Sequence, residues 1–246
     1  WPKTITMLKV AIWNLKGGTG KSSTAQNLGA ELAVAGFKTV LIDLDGQRTL
    51  SYGLGMDGST PNVLDWLEGK GQPLLTEVDS LYLIPGDIGT FQISSEENVL
   101  RGALERLKSF DICLIDCPPS LGAPTLQAIW NANRILMPTL TEPASLRGLI
   151  EAVELIRDER QKIPIDVLRT RYRSRLKISR EVMEQLVATM KSSKYHLLKT
   201  TIPENVAIAE SIARQLPTRD HAAGSLGALA YQVLAKELVQ RWQLKR

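Results

Sequence analysis

Residues Leu8–Thr24 read LKVAIWNLKGGTGKSST. The apolar opening, Leu8, Val10, Ala11, Ile12 and Trp13, suits a buried parallel strand, and the residues from Lys21 onward read as a helix. A glycine-rich turn is therefore left at the carboxyl end of a strand, where an anion can sit. Gly17, Gly18 and Gly20 let successive backbone N–H groups point inward at phosphate, and the amino terminus of the following helix adds its dipole. Thr19, Ser22 and Ser23 complete the cradle with N–H and hydroxyl groups. Lys21 supplies a point charge for the β- and γ-phosphates, and the Ser22 hydroxyl a ligand for Mg²⁺. ATP with Mg²⁺ is the expected cofactor pair.

Further along, Thr39–Ile42 is apolar and ends in Asp43-Leu44-Asp45. Strand, crossover helix (about Lys21 to Ala35) and second strand make a right-handed unit. Both strand ends then lie on one edge of the sheet, with the aspartates near the phosphate loop. Phe110–Gly122, FDICLIDCPPSLG, repeats the pattern: a fully apolar strand whose terminal Asp116 can hold Mg²⁺ through water, followed by a loop stiffened by Pro118 and Pro119.

The segment K-G-G-T-G-K-S has Leu15 where the usual phosphate loop has glycine, and Lys16 where it has no lysine. In this it resembles the deviant Walker A sequence of the ParA/MinD family of dimeric ATPases. Asp43–Ser51, DLDGQRTLS, is similar to that family's first switch, with Gly46 in place of proline and Arg48 in place of glycine. The run D-C-P-P-S-L-G from Asp116 is similar to the ParA branch, and Thr141-Glu142-Pro143 with Leu146–Leu149 to another family segment, in which Pro143 replaces an aromatic. Thr200–Glu210, TTIPENVAIAE, resembles the nucleotide segment.

The resemblance implies an α/β fold, a doubly wound and mostly parallel sheet flanked by helices. It implies that Lys16 reaches the phosphates of a second copy in a nucleotide-sandwich homodimer, so that Lys16, Lys21 and Asp45 carry hydrolysis. Asp45 would orient or activate the attacking water. Ser22, Asp43 and Asp116 would lie at the metal, and Pro203 and Asn205 near adenine. One ParA-like domain is expected over 8–246, after a leader, 1–7, without periodicity.

Charge points to a partner. The net charge is only +4, yet between Arg157 and Lys199 there are 12 Lys/Arg against 5 Asp/Glu, leaving the remainder slightly acidic. Within that stretch Arg169, Arg171, Arg173, Arg175 and Lys177 alternate. If extended they share one side of the backbone, too many like charges to bury, and must face water or phosphate. Family members carry a DNA-binding arginine matching Arg175, whereas another would fall at Ala207. Non-specific DNA is thus the expected polymer, with a ParB-like or cargo-adaptor protein stimulating hydrolysis. A cytoplasmic, nucleoid-associated protein is expected.

Two other classes are open to test. A MinD-like membrane ATPase would use the tail WQLKR and lose vesicle binding when the last ten residues are removed, although the apolar positions of the final helix favour core packing. A cluster-bridging electron-transfer relative would need cysteines unlike Cys113 and Cys117, which are expected to be buried and reduced. No stretch approaches the roughly 20 apolar residues of a membrane span. His196 and His221 have no partners at metal or triad spacing and are expected to be structural.

Overall fold

The computed structural model describes residues 7–190 and 195–245. Among them the strands are β1 (Leu8–Ile12), β2 (Thr39–Asp43), β3 (Leu74–Leu75), β4 (Leu81–Ile84), β5 (Ile112–Asp116), β6 (Arg134–Leu140), β7 (Ile165–Tyr172) and β8 (His196–Pro203). The helices are α1 (Lys21–Val34), α2 (Thr49–Gly53), α3 (Val63–Leu67), α4 (Val99–Leu104), α5 (Ala123–Asn131), α6 (Pro143–Glu159), α7 (Lys177–Thr189), α8 (Val206–Ala213), α9 (Thr218–His221) and α10 (Leu226–Arg241). One sheet runs β3-β4-β2-β5-β1-β6-β7-β8. Only the β3–β4 pairing is antiparallel.

Alternation along the inner strands divides the core in two. Val10 and Ile12 face the layer of Ala25, Leu28 and Leu32 from α1, together with Tyr231 and Leu234 from α10. Ala11 and Trp13 face Ala128 and Ile129 of α5 and Leu149 of α6. Helices that follow the neighbouring strands β1 and β5 therefore cover opposite faces. This is the topological switch at which a crevice opens above the strands' carboxyl ends.

The remaining differences from the sequence reading are local. A helix from Ser95 capped by Ser94 is expected, but α4 starts at Val99, because Asn98 accepts from the Arg101 N–H at 3.2 Å and becomes the cap. Val99, expected inward, is 38% exposed. Thr60 and Pro61 suit the cap and first turn of a short helix, yet Asn62 caps α3, in a reciprocal capping box with Asp65. Residues 1–6 of the expected leader lie outside the described residues, while Met7 packs into the core.

The chain's tail is tied into the sheet. Asp166 is fully buried and accepts from Arg134 Nη1 (2.6 Å), Arg241 Nε (2.6 Å) and Trp242 Nε1 (2.9 Å). Two cations and an indole donor make ionised Asp166 tolerable in the interior. Trp242→Ala removes a large buried side chain and one of those donors, so it is expected to cost about 3–5 kcal/mol, read from the midpoint of urea unfolding. A change below about 1 kcal/mol would mean that the tail is only loosely docked.

Candidate functional site

The turn after β1 is held open from both sides. Buried Asn14 donates to the Pro138 carbonyl (2.8 Å) and accepts from the Lys16 N–H (3.1 Å), which fastens the loop's start to β6. On the other side the Thr170 hydroxyl donates to the Thr19 carbonyl at 2.7 Å, with the Thr139 carbonyl at 3.1 Å. Gly18 and Gly20 have φ of 71° and 85°, a left-handed conformation that side chains disfavour. No side chain caps α1, so the first N–H groups of a fourteen-residue helix face the crevice. Gly17 and Gly18 are exposed, Ser22 and Ser23 half-buried, and Thr19 buried.

The two lysines occupy different environments. Lys21 is 7% exposed, its ammonium 3.4 Å from the Lys16 carbonyl oxygen. Burial pulls its pKa down, opposed by Asp116 and Asp45. Lys16 lies at the surface, where its ammonium meets Glu142 Oε2 at 3.3 Å and Ser145 Oγ at 2.9 Å, at the start of α6.

Parallel pairing sets Asp43 opposite Asp116. Asp116 is buried, and neither carboxylate oxygen has a hydrogen-bond partner of normal geometry. Burial first, and then Asp43, drive its pKa well up, while the Ser22 hydroxyl and Lys21 pull it down. An orphaned buried carboxylate beside a serine hydroxyl fits a divalent cation. No group of three His, Cys, Asp or Glu among the described residues could hold a metal by itself, so such a cation must also take phosphate and water oxygens.

Asp43 stands at the end of β2, beside Asp116 on the next strand. Its Oδ2 accepts from Ser51 Oγ (2.6 Å) and Ser51 N–H (2.9 Å), and its Oδ1 from the Asp45 N–H (3.1 Å). Burial nevertheless pushes its pKa up to about 6. With both oxygens accepting hydrogen bonds, Asp43 shapes the Asp45–Ser51 segment. Asp45 is half-buried, with Oδ1 accepting from Gln47 N–H at 2.9 Å. Arg48 has φ of 56°, which explains why a glycine suits that position; its Nε meets Asp57 Oδ1 at 3.3 Å.

The basic stretch divides. Arg169, expected on the DNA-facing side, is 3% exposed: its guanidinium donates to the Leu198 and Lys199 carbonyls and approaches Met183 Sδ. The alternation ends at Arg171, whose φ of 49° coincides with a register shift in the pairing of β7 with β8. Arg171, Arg173, Arg175 and Lys177 are exposed, and Lys177 pairs with Glu181 at 3.6 Å inside α7. Pro203 and Asn205 flank the junction of β8 and α8, and Asn205 Oδ1 is buried without a hydrogen bond. Cys113 and Cys117 are buried and free, their thiols driven upward in pKa by burial.

Asn14, Thr170 and Ser145 were not legible as site residues, because each acts through a partner distant in sequence, while Glu142 falls in a segment similar to the family's that carries no role for it. A groove of about 510 Å³ lies at the far end of α1 between Val34, Phe37, Lys236, Val239 and Leu244, away from the phosphate loop.

A family model described as an AAA domain matches residues 7–167. The chromosome-partitioning ATPase Soj of Treponema pallidum is 36% identical over 245 residues, spanning 93% of this chain and 95% of that protein. The fold is similar to that of the cell division ATPase MinD of Pyrococcus furiosus, with a TM-score of 0.81 and 26% identity over 96% of this chain and 100% of that one. It is also similar to a cobyrinic acid a,c-diamide synthase of Mycobacterium smegmatis solved with an ATP analog and magnesium (TM-score 0.78, 28% identity, 98% of this chain and 97% of that one).

Proposed function

The chain belongs to the AAA-domain family that includes the Soj partitioning ATPases, and from that membership we propose a positioning switch: a homodimer that forms with ATP, binds DNA non-specifically and comes apart on hydrolysis. ATP hydrolysis is the family's activity, with ATP and Mg²⁺ as its cofactors. The observation that carries the switch is Lys16. A second loop lysine is held at the surface by one carboxylate and one hydroxyl, while Lys21 is buried at the site itself.

In this reading the Gly17–Ser23 backbone wraps the phosphates of ATP, and Lys21 neutralises them. Ser22 and Asp116, with Asp43 beside them, would hold Mg²⁺, which when bound would neutralise charge on the phosphate oxygens. Asp43 keeps Asp45 in place through the Asp45 and Ser51 N–H groups, and Asp45 orients the attacking water. Pro203 and Asn205 serve the adenine. Lys16 leaves Glu142 and Ser145 for the phosphates of the second copy.

Arg171, Arg173, Arg175 and Lys177 form the DNA-facing surface, of which Arg169 is no part. Two copies double the phosphate contacts, so ATP raises affinity and salt lowers it. A ParB-like or cargo-adaptor protein completes the cycle by accelerating turnover, with the ATP form on the nucleoid.

The membrane reading has less support, since Trp242 is buried and bonded to Asp166. For the same reason, removing the last ten residues no longer separates the two readings. It would delete Leu238, Arg241 and Trp242 and unfold the domain. Vesicles tested against the intact chain make that separation. The switch itself is tested by titrating duplex DNA with ATP, with ADP and without nucleotide. Tight, salt-sensitive binding with ATP alone is expected, and equal binding in all three overturns the cycle.

A further inference from the structure

The exposed arginines are not all free to meet phosphate. Near the end of β7 the pairing with β8 shifts register between Arg169 and Tyr172, and Arg171 has a left-handed backbone. Just beyond β8, Glu204 donates its N–H to the Tyr172 carbonyl at 3.3 Å, so its side chain is delivered to the same corner. Arg171 Nη2 reaches Glu204 Oε1 at 3.1 Å and Arg173 Nη2 the same oxygen at 2.7 Å, while Arg173 Nε donates to Oε2. Arg173 thus grips the carboxylate with both prongs, in the geometry a guanidinium uses on a phosphate.

These groups remain in water: the side chains of Arg171, Arg173 and Glu204 are 56%, 53% and 36% exposed. The two arginines hold the Glu204 carboxyl at a pKa of about 2, so it is ionised at any physiological pH. Next to them Arg175 is exposed and has no acidic partner among the described residues. One carboxylate therefore neutralises half the charge of a two-arginine notch, beside the exposed Arg175 and a Lys177 that pairs with Glu181.

We propose that Glu204 is a built-in competitor for phosphate: its carboxylate occupies the Arg171–Arg173 notch and restrains duplex-DNA binding until DNA phosphates displace it. The inference rests on the DNA-binding reading of this surface and names its gate. A solvent-exposed pair of this kind contributes little to folding, so opening it is cheap. A polyanion gains from releasing its counterions, which a single carboxylate does not. One copy of the protein, with few contacts, leaves the notch closed; two copies on one duplex open it.

The test compares the full-length protein with Glu204→Gln, titrated with duplex DNA without nucleotide over a series of salt concentrations. The expected result is affinity higher by about tenfold at low salt, with a salt slope steeper by about 1 to 2 phosphate contacts. Adding Arg171→Ala and Arg173→Ala to Glu204→Gln is expected to abolish the gain. Unchanged affinity in a Glu204→Gln protein of native circular dichroism overturns the gate. So does a gain that survives loss of both arginines, or one seen with phosphatidylserine vesicles and not with DNA. Wild-type protein with ATP in the same titration separates the two failures. If it binds DNA and Glu204→Gln changes nothing, the gate alone is wrong; if it does not bind DNA, the reading beneath it is wrong.

Discussion

Lys16→Ala is expected to yield a stable monomer that still binds ATP and no longer forms the ATP-dependent dimer, measured by light scattering with a non-hydrolysed ATP analog. The structure makes the outcome specific. Among the described residues the Lys16 ammonium bonds to Glu142 and Ser145, with its side chain 36% exposed, and an ion pair in that setting contributes at most about 1 kcal/mol. The nucleotide cradle is built from other groups: the loop backbone fastened by Asn14 and Thr170, and the buried ammonium of Lys21. Losing the dimer removes the bivalent gain, so DNA affinity with ATP is expected to fall by about 100-fold or more. Lys21→Ala, by contrast, removes the buried cation that faces Asp116 and weakens ATP binding in the monomer itself. A dimer untouched by Lys16→Ala would take Lys16 out of the mechanism, and the exposed lysine would be a loop cation bound to its own carboxylate.

That separation of roles was half visible beforehand, and the visible half was local in the chain. The phosphate loop, the Asp43–Asp45 turn and the strand ending in Asp116 are each a run of consecutive residues whose types state their chemistry. β1, β2 and β5 then bring them to one edge as the order of elements requires. What stayed hidden involves partners distant in sequence. Thr170 supports a carbonyl 151 residues away, and Asp166 collects Trp242 from 76 residues on. Arg169 illustrates the failure most clearly. Its alternation with Arg171 is real in the sequence, but spacing does not say where a strand leaves the layers that cover it. Two residues decide that an arginine caps carbonyls inside the protein rather than facing solvent. Asp43 shows the same limit: its position at a strand end was legible, whereas the Ser51 hydroxyl and N–H groups that occupy it were not.

Asp45→Ala is expected to separate binding from hydrolysis, giving a dimer that persists with ATP while turnover falls by about 10² to 10⁴-fold. The electrostatics favour a trapped state over a broken one. Three carboxylates, Asp43, Asp45 and Asp116, gather where a triphosphate would bring further negative charge, and Asp45 raises the pKa of both others. Removing it relieves that repulsion, so affinity for the net-negative Mg-ATP complex is expected to hold or rise. Structurally the loss is small: Asp45 Oδ1 accepts one hydrogen bond, from Gln47, worth about 1 kcal/mol. The fold around it is kept by the Asp45 N–H to Asp43 and by the Arg48 N–H to the Asp45 carbonyl, neither of which needs the side chain. Asp45→Asn sharpens the comparison, because the amide oxygen can still accept from Gln47 while the negative charge that orients water is gone. If turnover in Asp45→Asn stays within about tenfold of wild type, a charged group at this position is not required. The water must then be placed by another residue of the switch. If Asp45→Ala and Asp45→Asn both lose turnover and both remain dimeric with ATP, the carboxylate acts on the reaction and not on assembly, which is the division of labour that the two lysines and three aspartates imply.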